Sequence, residues 1–188
     1  KMQQYAQARF NYRKATHLSQ ENSQLFYKIA CTYMNEGNWE SAVKNLETAM
    51  RIYRSQPEYN LAMGQCYVEM GNVELAVQYF GNVVRTKPKN VNGWSELLKC
   101  LYKTGCYEEG EEYVNHALEM TGFKPLFYYY KSAFLLALGK AKEAALLLHT
   151  AMSKNPRLVK KLVDLSPSIL QHQVMVDVIA AFKRNKSI

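Results

Sequence analysis

Four cysteines, four histidines and one run of carboxylates are the residues of this 188-residue chain with the types for catalysis or metal binding. A cysteine nucleophile needs a base or a positive neighbour to hold it as thiolate. A structural zinc site needs four Cys, His or carboxylate ligands, recognisable by short spacings. Cys31, Cys66, Cys100 and Cys106 contain no C-x-x-C pair, and His17, His116, His149 and His172 show no ligand spacing among themselves. Cys31 has no histidine at a helical spacing, so it lacks the partner that would activate it. The acidic run Glu108, Glu109, Glu111 and Glu112 has the residue type of paired catalytic carboxylates. It opens a helix, however, where negative charge complements the N-terminal dipole. Gly-rich phosphate loops, G-x-S-x-G and H-E-x-x-H are absent. The sequence is therefore read as carrying no catalytic residue, no metal site and no cofactor, and the chain as not being an enzyme.

Composition bounds what remains. A hydrophobic content of 48% is enough for a core. The apolar run at 133–138 falls far short of the ~20 residues that span a bilayer. The opening "KMQQYAQARFNYRK" has no continuous apolar stretch after its charges and does not read as a signal peptide. Its start at Lys1 suggests a fragment, from which a targeting segment could be missing. The cysteine pattern leans toward a reducing compartment such as the cytoplasm. The net charge of +8 is unevenly spread: residues 1–56 carry 8 basic and 4 acidic side chains, 57–122 carry 5 and 9, and 123–188 carry 11 and 3. An acidic partner would be steered to the last third. Nucleic acid is disfavoured as a partner, because those lysines are scattered and no aromatic-basic recognition motif accompanies them.

The elements that position these residues repeat. Gly37, Gly71, Gly105 and Gly139 are each 34 residues apart. The same period aligns Ala8, Ala42, Ala76, Gly110 and Ala144, then Tyr12, Leu46, Phe80, Val114 and Leu148, then Ala15, Ala49, Val83, Ala117 and Ala151. Ahead of the glycines run the columns Phe26, Asn60, Trp94, Tyr128 and Tyr33, Tyr67, Leu101, Leu135. Trp94, Leu97, Leu98 and Leu101 have the spacing of a buried helical face. Each unit therefore reads as a helix pair: a first helix ended by glycine, which accepts a positive φ without steric cost, and a second helix that Asn38 or Asn72 can cap. First helices are expected at about 23–36, 57–70, 91–104 and 125–138, and second helices at about 39–53, 73–86, 107–121 and 141–154. Residues 2–18 fit a second helix without its mate, which would expose Met2, Tyr5, Phe10 and Tyr12.

A 34-residue helix-turn-helix with these columns resembles the tetratricopeptide repeat. The resemblance covers residues 1–158 and implies an all-α fold, a right-handed α-α superhelix of helix-turn-helix repeats. Its repeats would be 23–56, 57–90, 91–124 and 125–158, preceded by the second helix of a truncated repeat in 1–22. Residues 159–188 follow as capping helices. Leu158, Leu162 and Leu165 share one face of a short helix, and a last helix is expected to start with Ser166 as N-cap and Pro167 at its first position. That helix carries Leu170, Val174, Val178 and Ala181 on one stripe and Met175, Ile179 and Phe182 on the next, ends in Lys183 and Arg184, and is expected to bury its wide apolar face. Asn60, Gly110 and Lys131 depart from the family's large or apolar residues, so packing around them is expected to be looser.

The resemblance also places one stripe of each first helix on a concave surface. The candidate partner-binding residues are Tyr27, Cys31, Leu61, Gln65, Lys99, Tyr102, Lys103, Leu126, Tyr129 and Leu136, and the expected ligand is a peptide or helix of another protein. In the run "PLFYYYKSAFLLALG", Tyr128 is assigned to the core, and Phe127 and Tyr130 to neighbouring helices with the phenol reaching water. Tyr129 is assigned to the stripe. Two readings of the Leu126, Tyr129, Leu136 surface stand side by side: a partner's site, or a surface covered by the chain's own C-terminal helix. The carboxylate clamp of co-chaperone repeats is not matched, since its positions hold Tyr27, Cys31, Ala62, Asn92 and Glu96. The expected function is a protein-binding scaffold. The alternatives are a self-association module and a regulatory or targeting arm of a larger protein.

Overall fold

The computed structural model describes residues 2–19, 21–54 and 56–184, and among them every regular element is helical. The side chains of Met2, Gln3 and Lys183 lie outside the described residues. Two compact units make up the chain, residues 1–87 and 88–188. The first contains α1 (Met2–Leu18), α2 (Ser23–Met34), α3 (Trp39–Ile52), α4 (Pro57–Glu69) and α5 (Val73–Thr86). The second contains α6 (Val91–Lys103), α7 (Tyr107–Met120), α8 (Pro125–Ala137) and α9 (Ala141–Lys154). A short 3-10 turn at Pro156–Leu158 then leads to α10 (Val159–Leu165), a second 3-10 turn at Pro167–Gln171 and α11 (Gln173–Arg184).

The pairs α2/α3, α4/α5, α6/α7 and α8/α9 are joined by one kind of turn. Gly37, Gly71, Gly105 and Gly139 take φ between 74° and 77°. In the second of these turns the N–H of Gly71 bonds the Val68 carbonyl at 3.1 Å and the N–H of Asn72 reaches the Tyr67 carbonyl at 2.9 Å, which satisfies carbonyls that a helix end would leave bare. The other three repeat the long bond, to Tyr33, Leu101 and Leu135 at 2.9–3.0 Å. The side chains of Asn38 and Asn72 then accept from Ser41 N–H and Leu75 N–H at 3.1 Å, capping α3 and α5 as expected.

In the first unit Ala30, Ala42, Val43, Leu46, Ala62, Met63 and Cys66 form a buried cluster. Helix α1 packs on α2. Arg9 pairs with Glu36 at 2.6 Å and lies over the Tyr33 ring, and Arg13 donates to the Tyr33 hydroxyl. Tyr5 and Tyr12 are half-buried, and Phe10 is the exposed aromatic of this helix.

Gly110 does not loosen its repeat. An added Cβ would meet the Phe134 ring at 2.1 Å, so the ring of α8 lies directly on the backbone of α7 where an alanine stands in other repeats. Gly64 does the same for Phe80, at 2.4 Å. Both phenylalanines are fully buried. Asn60 has the opposite consequence. It stands in the Trp94 column, donates back to the Gln56 carbonyl, and leaves a cavity of about 440 Å³ beside it.

The C-terminal helices correct the expected register. The last helix begins at Gln173, because residues 167–171 form a 3-10 turn and His172 is extended. The Ser166 hydroxyl caps no helix; it is engaged by the Tyr102 hydroxyl at 2.7 Å. Of the expected wide apolar face, Met175 and Ile179 on α11 are buried in the packing against α9, whereas Val174 on α11 and Leu170, which falls in the preceding 3-10 turn, remain about half exposed. Two apolar stripes about 100° apart around one helix cannot both face one partner helix.

Gly64→Ala and Gly110→Ala are expected to lower stability by about 1–3 kcal/mol each, the usual cost of overpacking a filled core. Gly81→Ala, whose Cβ would meet nothing within 4 Å, should be neutral or stabilising. Denaturant midpoints of the three variants check this, and a neutral Gly110→Ala would refute the close ring-on-backbone contact.

Candidate functional site

The candidate stripe runs along the first helix of each pair, and its exposure changes from one unit to the other. On α2, Gln24 and Asn35 are exposed and Tyr27, Cys31 and Met34 are half-buried. On α4, Glu58, Gln65 and Glu69 are exposed and Leu61 and Val68 half-buried. These two helices lie side by side: the Tyr27 and Tyr59 rings are 5.1 Å apart, and the Tyr59 hydroxyl bridges Ser23 and Gln24 at 3.0 and 3.1 Å. The stripe is thus an open face with an aromatic and thiol floor and acidic and amide groups along it. Burial, then the neighbouring Cys31, push the Tyr27 phenol up to about 12, and burial also raises the Cys31 thiol. Both stay neutral at physiological pH, so this floor presents hydrogen-bonding and apolar surface rather than charge or a nucleophile.

In the second unit the same stripe closes. Lys103 is exposed and Lys99 and Tyr102 half-buried on α6, but Ser95 is buried. On α8, Leu126 is half-buried, whereas Tyr129, Ala133 and Leu136 are buried. Tyr129 and Leu136 are therefore not surface anchors. The chain's own segment after α9 lies over them: α10 packs on α8, and the Tyr129 hydroxyl donates to the Asn155 carbonyl at 2.8 Å. Of the two readings of this surface, the self-covered one is the structure found, with α10 rather than the last helix as the cover. Leu162 and Leu165 of α10 bury their side chains there.

The other tyrosines of the run also move. Phe127 is fully buried, and Tyr130 is buried with its hydroxyl 3.0 Å from that of Ser95, not in water. Tyr128 is half-exposed beneath the Lys154 ammonium. The triple tyrosine thus fills three different surroundings, because successive helical residues point about 100° apart.

This unit holds a small cleft of about 210 Å³ lined by Lys99, Lys103, Tyr130, Lys161, Asp164 and Leu165. Lys161 and Asp164 escape a reading of the repeat columns, since only the fold-back of α10 brings them to α6. Burial works to lower the Lys99 ammonium pKa, but pairing with Glu96 at 2.7 Å outweighs it and holds the pKa up. No group of three or more His, Cys, Asp and Glu side chains capable of holding a metal occurs among the described residues. All four cysteines are free thiols. No described helix is long and apolar enough to cross a membrane.

Antiparallel helix pairs with a common glycine stop, stacked through small-residue columns, define the class as an all-α solenoid of helix-turn-helix repeats. Residues 23–56 and 57–90 match the tetratricopeptide repeat family, so the chain contains repeats of a kind that serves as protein–protein interaction scaffolds. No curated protein matches the chain in sequence. Among solved structures, the MamA protein is 15% identical over 84% of this chain and 86% of its own, with a TM-score of 0.71. YrrB, described as a TPR protein with an unusual peptide-binding site, is 16% identical over 93% of this chain and 83% of its own, with a TM-score of 0.65. A thermophilic TPR protein of Thermus thermophilus is 17% identical over 88% of this chain and 91% of its own, with a TM-score of 0.61. At such identities the likeness is one of fold.

Alkaline titration reports on both sites. The Tyr27 and Tyr129 phenols both ionise near 12 against an ordinary value of 10.0. The folded state favours the neutral phenol, so this contribution to stability is complete below about pH 10 and is lost as pH rises through about 12. Tyrosinate absorbance of Tyr27→Phe and Tyr129→Phe should each lose amplitude near pH 12. Loss of amplitude near pH 10 from Tyr129→Phe would contradict its burial.

Proposed function

We propose that the chain is a non-enzymatic scaffold that holds a peptide or helix of a partner protein on the concave face of its repeats, chiefly on the stripe of α2 and α4. The observation that carries this reading is the contrast between the two units. The α8 stripe is covered by the chain's own α10, whereas the α2/α4 stripe keeps Tyr27, Cys31, Leu61 and Gln65 at its surface. Pre-formed helices present these groups with little ordering cost on the receptor side. Glu58 and Glu69 flank them and select register by charge. Within the second unit, Lys99, Lys103, Tyr102 and Leu126 form a separate candidate contact for an acidic segment, while Tyr129 and Leu136 serve the fold. In this reading α1 and the helix pairs of 91–124 and 125–158 complete the repeat array, and residues 159–188 cap it. YrrB's peptide-binding site is a precedent for ligand capture on this fold, at an identity that supports no transfer of residues.

Self-association is the second reading, favoured by Leu146, Leu170 and Val174, which are 72%, 52% and 49% exposed in the second unit.

Light scattering across a concentration series comes first. A monomer whose captured partner is lost on Tyr27→Ala or Leu61→Glu, with helical content unchanged, supports the scaffold. The expected loss is about tenfold or more in affinity, the size of an aromatic hot spot. Capture indifferent to both substitutions would sink the α2/α4 assignment, and a concentration-dependent mass abolished by Val174→Glu would favour self-association.

A further inference from the structure

The cavity beside Asn60 is the seat of a missing tryptophan. In residues 88–122 the corresponding space is occupied by Trp94, which is 5% exposed. Its indole N–H donates to the Pro88 carbonyl at 2.7 Å, and its ring packs on Tyr113 with centroids 6.3 Å apart. Moving back by one period of 34 residues turns Trp94 into Asn60, Tyr113 into Tyr79 and Pro88 into Arg54. All three line the cavity of about 440 Å³, together with Met50, Leu75 and Arg85. The tyrosine that the indole packs on is therefore kept, and the indole is gone. The short Asn60 side chain turns back to its own helix and bonds the Gln56 carbonyl at 3.3 Å.

The charge around the seat is changed as well. Where α7 carries Glu109, Glu112 and Glu119, α5 carries Leu75, Gln78 and Arg85 in the same columns. The lining includes two arginines and no carboxylate. Neither arginine enters an ion pair among the described residues; Arg85 is bonded to the neutral Asn82 side-chain oxygen at 2.8 Å. Guanidinium groups lining a recess that also holds the Tyr79 ring suit a carboxylate neighbouring an aromatic side chain.

We propose that this seat binds an aromatic side chain of a partner protein, an indole above all, that is flanked in sequence by carboxylates. The ring occupies the place that Trp94 fills in the following repeat, and Arg54 and Arg85 take the acidic neighbours. The volume lies within the ~300–1,000 Å³ of ordinary ligand recesses. The site is formed by α3, α4 and α5 and the residues at their ends. It does not depend on the α2/α4 stripe, so either site can fail without the other.

The test uses the 188-residue chain, isotope-labelled, titrated with three capped pentapeptides: Gly-Trp-Glu-Glu-Gly, its Lys-Lys counterpart, and Gly-Ala-Glu-Glu-Gly. Saturable NMR shifts at the side chains of Arg54, Asn60, Asn82 and Arg85 are expected with the first peptide alone, and should weaken with added salt. Arg85→Glu should weaken that binding about tenfold or more, the scale of a lost charge-assisted contact. Asn60→Trp should fill the seat, raise the thermal midpoint and abolish binding. No saturable shifts with the Trp-Glu-Glu peptide, equal binding of the Lys-Lys peptide, or binding unchanged by Arg85→Glu would each overturn the proposal. If Asn60→Trp fails to fold, Arg54→Glu and Arg85→Glu decide it, both being at exposed positions outside the core.

Discussion

Each helix pair depends on one backbone conformation, the left-handed glycine that ends its first helix. A side chain at φ near 75° would be strained, whereas glycine turns there freely and lets the next N–H reach back to a carbonyl near the helix end. That carbonyl belongs to Tyr33, Tyr67, Leu101 or Leu135, residues of a single packing column. The stop thus couples chain reversal to the position of a core side chain. With the stop recurring every 34 residues, the small residues of each second helix meet the first helices in register, and alanines at 42, 76 and 144 are fully buried.

A common frame leaves the filling of each column free to vary, and the variation is where the repeats differ in use. Phe80 and Phe134 are accommodated by removing a methyl group from the opposing backbone, at Gly64 and Gly110. Those glycines are consequences of tight packing rather than relaxations of it. Trp94 fills its seat and Asn60 does not, so one repeat is sealed and its predecessor is concave at the same place. At the unfilled seat Asn60 and Thr86 bond their own backbone and Arg85 bonds Asn82, and no side-chain polar atom among the described residues is both buried and unpartnered. A polar recess of this kind costs little to maintain.

Covering of α8 follows similar logic. Its stripe of Leu126, Tyr129, Ala133 and Leu136 is the most apolar of the four, and an isolated stack would leave it in water. The segment after Asn155 folds back, buries Leu162 and Leu165, and supplies a carbonyl for the Tyr129 hydroxyl and a hydroxyl for Tyr102. Lys161 and Asp164 arrive with it, so the cleft beside Lys99 and Lys103 is made by the cover. The stripe of α2 and α4, which is mixed in polarity, stays at the surface.

The period, the helix pairs and their glycine and asparagine signals were legible in the residues themselves, because local backbone conformation and the 34-residue recurrence are properties of short segments read many times over. The Asn60 departure was visible as an anomaly, but its outcome as a cavity was not. What the periodicity left open was which stripe meets solvent: Tyr128, Tyr129 and Tyr130 are identical in composition and differ only in what lies opposite them. Tyr129 became core because α10 returned to it, Tyr128 surfaced beneath Lys154, and the last helix began at Gln173 because residues 167–171 turned first. These outcomes depend on contacts between segments about 20 or more residues apart, where burial of apolar area outweighs local pattern, and only the tertiary structure decides them.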